Sequence, residues 1–172
     1  DRAAENAGGD RLELARLVGK AALAASTVTE AERRAVIARR LPSHDWPSRD
    51  LRVVAVDAES GRHRVLDRNS GVRLVDAVAA SCAIPGMWPP VTIGVHRYID
   101  GGVRLSENAD LAVGFARVLV LQVGAASPEE DPFEGERDYL VSRGSAVEVI
   151  RPDDDALAAI GPDPTAQIGR AS

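Results

Sequence analysis

The segment RVLVLQV, at positions 117–123, restricts the possible folds of this chain more than any other segment. The run is almost wholly apolar and has the length of a single β-strand. A run of this kind is typical of a strand covered on both faces, and such strands occur mainly in parallel sheets flanked by helices. It therefore predicts a central parallel sheet and, with helices around it, an α/β fold.

The rest of the chain alternates between helical and extended patterns, which also favours a layered α/β fold. Residues 1–9 are small and polar and predict a flexible lead-in. Thr29 followed by Glu32 has the spacing of a capping box and predicts the start of a helix. Helices are predicted over 10–25, 29–40, 72–83, 108–115 and 128–144. Extended segments are predicted over 51–66, as a hairpin, and over 91–99, 117–123 and 145–152.

Composition excludes several classes of function. The 172 residues carry a net charge of -5 with no long basic run, so no nucleic-acid partner is expected. Cys82 is the single cysteine, which rules out an internal disulfide and a cysteine metal cluster, and no metal or cofactor is expected. No apolar stretch approaches the roughly 20 residues of a membrane span. We expect a cytoplasmic protein.

The segment RYIDGG places Asp100 after an extended run and before two glycines, Gly101 and Gly102. Such a triplet is common in ordinary turns. A carboxylate at the carboxyl end of a strand is also where α/β folds expose reacting groups. The triplet alone leaves both interpretations open.

Its surroundings make the functional interpretation specific. The stretch AVAASCAIPGMWPPVTIGVHRYIDGG contains an A-S-x-x-x-P block, from Ala80 to Pro85, followed by the D-G-G block at Asp100. Two blocks in this order resemble the patatin-like phospholipases, serine lipid acyl hydrolases, and in particular the bacterial members. The resemblance extends over residues 50–165. It implies a three-layer α/β/α fold with a mostly parallel central sheet, incomplete at its N-terminal side.

The resemblance implies a serine–aspartate dyad in which Asp100 is the general base. Gly101, Gly102, Ser81 and Pro85 would support the site, so Ser81 is not expected to be the nucleophile. A hydroxyl needs a nearby proton acceptor, and a carboxylate suffices if burial raises its pKa. Met87 and Trp88 would form an apolar lip for an acyl chain, with core capping as the alternative.

The chain departs from the family in lacking a G-x-S-x-G nucleophile block and a glycine-rich oxyanion loop. Its only methionine is Met87. We therefore expect residues 1–172 to be the C-terminal portion of one patatin-like domain, inactive alone, with the nucleophile outside the chain. The alternative is a non-catalytic patatin-fold module that binds lipid or protein. Expected partners are a lipid or small ester, a peripheral membrane contact, and a homodimer or the missing N-terminal segment.

The remaining reactive side chains are expected to be structural. Cys82 is expected to be a small core residue in a helix. Asp57 and Asp110 are the rival carboxylates to Asp100. The three histidines are expected to be ordinary surface or strand residues, namely His44, His63 and His96.

Overall fold

The computed structural model describes residues 2–105, 107–123 and 133–160. It divides into an N-terminal unit, Asp1–Asn108, and a C-terminal unit, Ala109–Ser172. Both contain helices and strands, so the predicted α/β class is confirmed. That residues 1–172 form a portion of one domain stays a prediction.

The sheet of the N-terminal unit has four strands in the order β2-β1-β4-β3. Every neighbouring pair in it is antiparallel, and Val56 lies opposite Ile99 where β1 meets β4. The strands are β1 (Val53–Asp57), β2 (His63–Leu66), β3 (Val91–Ile93) and β4 (His96–Asp100).

The prediction of a mostly parallel central sheet is therefore wrong for this sheet. Short connections explain two of the three antiparallel pairs, because parallel neighbours need a crossover of a dozen or so residues, whereas antiparallel neighbours need only a turn. Residues 58–62 join β1 to β2, and Gly94 and Val95 join β3 to β4. The predicted single extended segment at 91–99 is likewise a hairpin, with Gly94 at a φ of 66° in its turn.

Helices pack on both faces of this sheet. Helix α1 (Arg2–Ala24) packs on the face that carries Val56 and Ile99. Helices α2 (Glu30–Arg40) and α3 (Leu74–Ser81) share a core with Ala55 and Tyr98, which lie on the other face. The strand register thus decides which residues meet which helix.

Helix α1 packs through small residues. Ala15, Gly19 and Ala22 recur at helical spacing and are buried, whereas Leu17 points to solvent. A Cβ on Gly19 would lie 2.0 Å from the carbonyl oxygen of Ala58, so only glycine permits this approach. The predicted lead-in at 1–9 is wrong from residue 2 onward, because the helix already begins at Arg2.

Helix α2 begins as predicted. The Thr29 hydroxyl accepts a hydrogen bond from Glu32 N–H at 3.2 Å, and the Glu32 carboxylate accepts one from Thr29 N–H at 2.8 Å. This reciprocal capping box satisfies two donors that the helix end would leave unpaired. The Arg34 guanidinium also pairs with Asp76 and so ties α2 to α3.

The C-terminal unit contains a parallel strand pair, β5 (Arg117–Leu121) and β6 (Ala146–Ile150). Helix α4 (Glu134–Ser142) connects them, and Leu140 and Phe133 pack against Val118 and Val120. The predicted strand and its parallel pairing are confirmed. The prediction that both faces of β5 are covered is wrong, because Leu119 and Leu121 are exposed.

One element of the C-terminal unit differs from the expected pattern. The predicted helix over 108–115 is a 3-10 turn, Ala109–Ala112. Helix α5 (Asp154–Ile160) follows β6. The first five residues of the helix predicted over 128–144 lie outside the described residues, as does the tail after residue 160.

Candidate active site

Asp100 is the last residue of β4 and leads into a 3-10 turn, Gly101–Val103. Its backbone N–H donates a hydrogen bond of 3.0 Å to the carbonyl oxygen of Ala83. Burial, followed by the charge of Asp100, raises the pKa of the neighbouring Cys82 thiol. The fold therefore brings the A-S-x-x-x-P block and the D-G-G block together.

The Asp100 carboxylate is half-buried and has few protein donors around it. Within the described residues it accepts a hydrogen bond only from Gly102 N–H, at 2.8 Å. Burial raises the pKa of Asp100, and the Gly102 bond offsets this only in part. The carboxylate is thus more basic than an ordinary aspartate and retains oxygen lone pairs for another donor.

The two glycines after Asp100 are needed for space. A Cβ on Gly101 would lie 2.4 Å from the carbonyl oxygen of Val54, so the turn packs directly on β1. A Cβ on Gly102 would lie 3.1 Å from Asp100 Oδ1 and would crowd the carboxylate. Neither residue requires a left-handed backbone, so close approach explains the D-G-G sequence.

Asn108 holds the other side of this turn, a role that the sequence did not reveal. Its side-chain amide donates to the carbonyl oxygens of Gly101 at 3.1 Å and Leu105 at 2.8 Å. Its φ of 53° is left-handed, which asparagine tolerates better than most residues. The only available signal is an asparagine shortly after a glycine pair, and that pattern predicts a helix start equally well.

Ser81 and Cys82 lie where α3 ends, with Ser81 as its last residue and Cys82 as its C-cap. In the described part of the chain no hydrogen bond joins Ser81 to Asp100. Pro85 follows in a tight turn in which the N–H groups of Met87 and Trp88 both donate to the carbonyl oxygen of Ile84, at 3.1 and 2.9 Å. The block thus supports the Asp100 backbone through Ala83.

Trp88 is stacked against a charged side chain from α2. The guanidinium carbon of Arg33 lies 3.9 Å from the centroid of the Trp88 ring, a cation–π geometry. Arg33 is only 5% exposed, and burial lowers its pKa. One face of the indole is therefore covered by protein, which supports the core-capping alternative for Trp88. The role of Met87 as an acyl-chain lip stays a prediction.

Asp57, the first rival carboxylate, is saturated with donors. It accepts hydrogen bonds from Ser60 N–H at 2.7 Å, Ser60 Oγ at 2.8 Å and Glu59 N–H at 3.1 Å, and His96 Nδ1 lies 2.8 Å away. Burial alone would raise the pKa of Asp57, but these contacts outweigh burial and lower it. Asp57 therefore closes the β1–β2 turn, and His96 is its surface partner.

The two remaining histidines belong to other parts of the N-terminal unit. His44 Nε2 lies 2.9 Å from the carbonyl oxygen of Ala38, and His63 begins β2. Asp110 belongs to the C-terminal unit, where its N–H donates a hydrogen bond to a Glu136 carboxylate oxygen at 3.3 Å.

Two general findings bear on the kind of site. Among the described residues, no three histidine, cysteine or acidic side chains converge in a way that could hold a metal ion. None of the helices in the same residues has the length and hydrophobicity needed to cross a bilayer.

Comparison with known protein families places part of the chain in one of them. The model of the patatin-like phospholipase family matches residues 5–113, which is more than half of the chain and includes both the A-S-x-x-x-P and D-G-G blocks. No curated protein shows a significant match. The two blocks meet at Asp100 within the matched region, and the chain belongs to the patatin-like phospholipase family.

Proposed function

We propose that this chain supplies the general base of a serine lipid acyl hydrolase, an esterase or phospholipase that works through a serine–aspartate dyad. Asp100 is the base. The nucleophilic serine lies outside the 172 residues, because no serine here stands in a G-x-S-x-G sequence. Membership of the patatin-like phospholipase family supports hydrolase chemistry on lipid esters.

The observation that carries this proposal is the contrast between two aspartates of the same sheet. Asp57 is held by several donors and its pKa is lowered. Asp100 accepts a single hydrogen bond within the described residues and its pKa is raised. A general base needs unused lone pairs and a pKa shifted towards working pH, and Asp100 meets both conditions.

The reaction follows from this basicity. The serine hydroxyl donates its proton to Asp100 as its oxygen attacks the ester carbonyl, and the protonated Asp100 then gives that proton to the departing alkoxide. A water molecule next loses a proton to Asp100 and attacks the acyl-enzyme. Release of the acid returns the proton to serine, so Asp100 ends each turnover ionised.

The surrounding residues keep the base in place. Gly101 and Gly102 let the turn pack against β1 without crowding the carboxylate. Ser81 and Pro85 flank Ala83, whose carbonyl oxygen accepts a hydrogen bond from the Asp100 N–H. Met87, beside Trp88, is the candidate contact for the acyl chain of the ester.

The test is ester hydrolysis by the longest natural protein that contains this chain. Short-chain p-nitrophenyl esters and phospholipid vesicles are suitable substrates. Asp100→Asn preserves the shape of the side chain and removes the base, so turnover should fall by about 10²- to 10⁴-fold. Asp45→Asn, at an exposed aspartate, is the matched control and should hydrolyse at the wild-type rate.

Retention of full turnover by Asp100→Asn would contradict the assignment. Residues 1–172 alone should hydrolyse no ester. The absence of a G-x-S-x-G block also favours a second candidate, a non-catalytic patatin-fold module that binds lipid or protein. If the longest natural protein bound vesicles without hydrolysing any ester, that candidate would be favoured, with a peripheral contact to the membrane. A homodimer remains a further proposal, tested by the mass in solution.

A further inference from the structure

A cleft lies on the side of the N-terminal unit where α1 meets the β1–β2 turn. Its volume is about 390 Å³, within the roughly 300–1,000 Å³ typical of small-molecule sites. The lining residues are Arg11, Leu12, Ala15, Gly61, Arg62, His63, Arg104 and Leu105.

The cleft is cationic in an acidic protein. Its lining contains three arginines and a histidine but no carboxylate, whereas the whole chain has a net charge of -5. Within the described residues, no carboxylate pairs with the side chains of Arg11 or Arg62, both of which are exposed. The charges of Arg11 and Arg62 are therefore available to an anion.

The same cleft offers apolar surface between its charged walls. Leu12, Ala15 and Leu105 contribute this surface, and Leu12 is 37% exposed. Arginine heads beside an exposed leucine complement a ligand with an anionic head and an apolar tail. A free inorganic anion would leave the leucine side chains in contact with water.

The wall that carries Arg62 is fixed by the backbone. Gly61 has a φ of 70°, and a Cβ there would lie 2.7 Å from the carbonyl oxygen of Leu12. The β1–β2 turn consequently packs directly on α1. It is closed by Asp57, whose carboxylate accepts a hydrogen bond from the Ser60 hydroxyl. A cleft formed by such a fixed turn needs little reorganisation on binding.

The cleft is distinct from the Asp100 carboxylate. Asp100 lies opposite Ala55 in the sheet, and Ala55 packs on the α3 side. Ala15 lines the cleft and packs with Val56 and Ile99 on the opposite face. The two sites therefore lie on opposite faces of the four-stranded sheet.

We propose that this cleft binds an anionic amphiphile, with a phosphate head between Arg11 and Arg62 and an alkyl tail against Leu12. Free alkyl phosphates and phospholipid head groups share this chemistry. The proposal does not depend on Asp100 being a base.

The test is direct binding of hexyl phosphate to the chain by isothermal titration calorimetry, with inorganic phosphate and hexanol as single-feature probes. Hexyl phosphate should bind more tightly than either. Arg62→Gln and Arg11→Gln should each weaken it about tenfold or more, because each removes a charge-assisted hydrogen bond. Arg39→Gln makes the same charge change at an exposed position of α2 outside the cleft and should leave binding unchanged.

The proposal would be overturned if inorganic phosphate bound as tightly as hexyl phosphate, or if hexyl phosphate did not bind at all. It would also be overturned if Arg39→Gln lost as much affinity for hexyl phosphate as Arg62→Gln. Vesicles of phosphatidylglycerol and of phosphatidylcholine distinguish the sources. Binding to phosphatidylglycerol alone, lost in Arg62→Gln, supports a lipid head group. Binding of hexyl phosphate without vesicle binding supports a soluble alkyl phosphate.

Discussion

Replacement of Gly101 by alanine should destabilise the turn that carries Asp100. The added Cβ would lie 2.4 Å from the carbonyl oxygen and 2.9 Å from the carbonyl carbon of Val54. Both partners are backbone atoms of β1, so the clash cannot be relieved by a rotamer change. Overpacking of this kind costs about 1–3 kcal/mol. For a chain of this length, each kcal/mol lowers Tm by about 2–4 °C.

Urea unfolding followed by tryptophan fluorescence measures this effect. Both tryptophans, Trp46 and Trp88, belong to the N-terminal unit, so their emission reports on the part that contains the turn. Gly102→Ala is the matched control, because its Cβ would meet only Asp100 Oδ1, at 3.1 Å. An unfolding free energy of Gly101→Ala within about 0.5 kcal/mol of wild type would refute the close-approach argument. So would a larger loss in Gly102→Ala.

The two aspartates should respond oppositely when made neutral. Because the pKa of Asp57 is lowered by folding, its ionised form stabilises the protein at every pH above the ordinary aspartate pKa. This stability is lost as the pH falls through the folded-state pKa. Asp57→Asn should therefore lower the free energy of unfolding by about 1–3 kcal/mol at pH 7. Asp100 has a raised pKa, so its charge disfavours folding at pH 7, and Asp100→Asn should be at least as stable as wild type there. Urea titrations at pH 7 and pH 3 check both, and a more stable Asp57→Asn would contradict the assignment. Thr29→Ala should lower stability by about 1 kcal/mol through loss of the capping box, whereas unchanged unfolding would show that the cap contributes nothing.

Short-range patterns are sufficient for the local elements. The Thr29–Glu32 spacing identifies the start of α2, and the apolar run at 117–121 identifies β5. Both depend on neighbours within one turn or one strand, which the chain displays directly. The D-G-G block likewise marks Asp100 as a candidate site residue from the order of amino acids alone.

The hairpin predicted over 51–66 is confirmed by the antiparallel pair of β1 and β2, but the direction of pairing between distant strands could not be predicted from the same patterns. The run VVAVD is apolar enough for a parallel strand, yet β1 also pairs antiparallel with β4. Its partners are set by the length and course of the connections, which strand periodicity does not encode. For the same reason, the hairpin of β3 and β4, with Gly94 in its turn, was not predicted from the sequence.

The order of amino acids is enough to establish the α/β class, the capping box and the family blocks, because each depends on residues close together in the chain. Which aspartate is the more basic is a property of the folded molecule. Asp57 and Asp100 both end strands of one sheet, but donors surround the first, whereas burial raises the pKa of the second. Those environments are assembled from distant segments, as when His96 reaches Asp57 and Ala83 accepts the Asp100 N–H. The pKa of a side chain follows from such contacts, which exist only once the chain has folded.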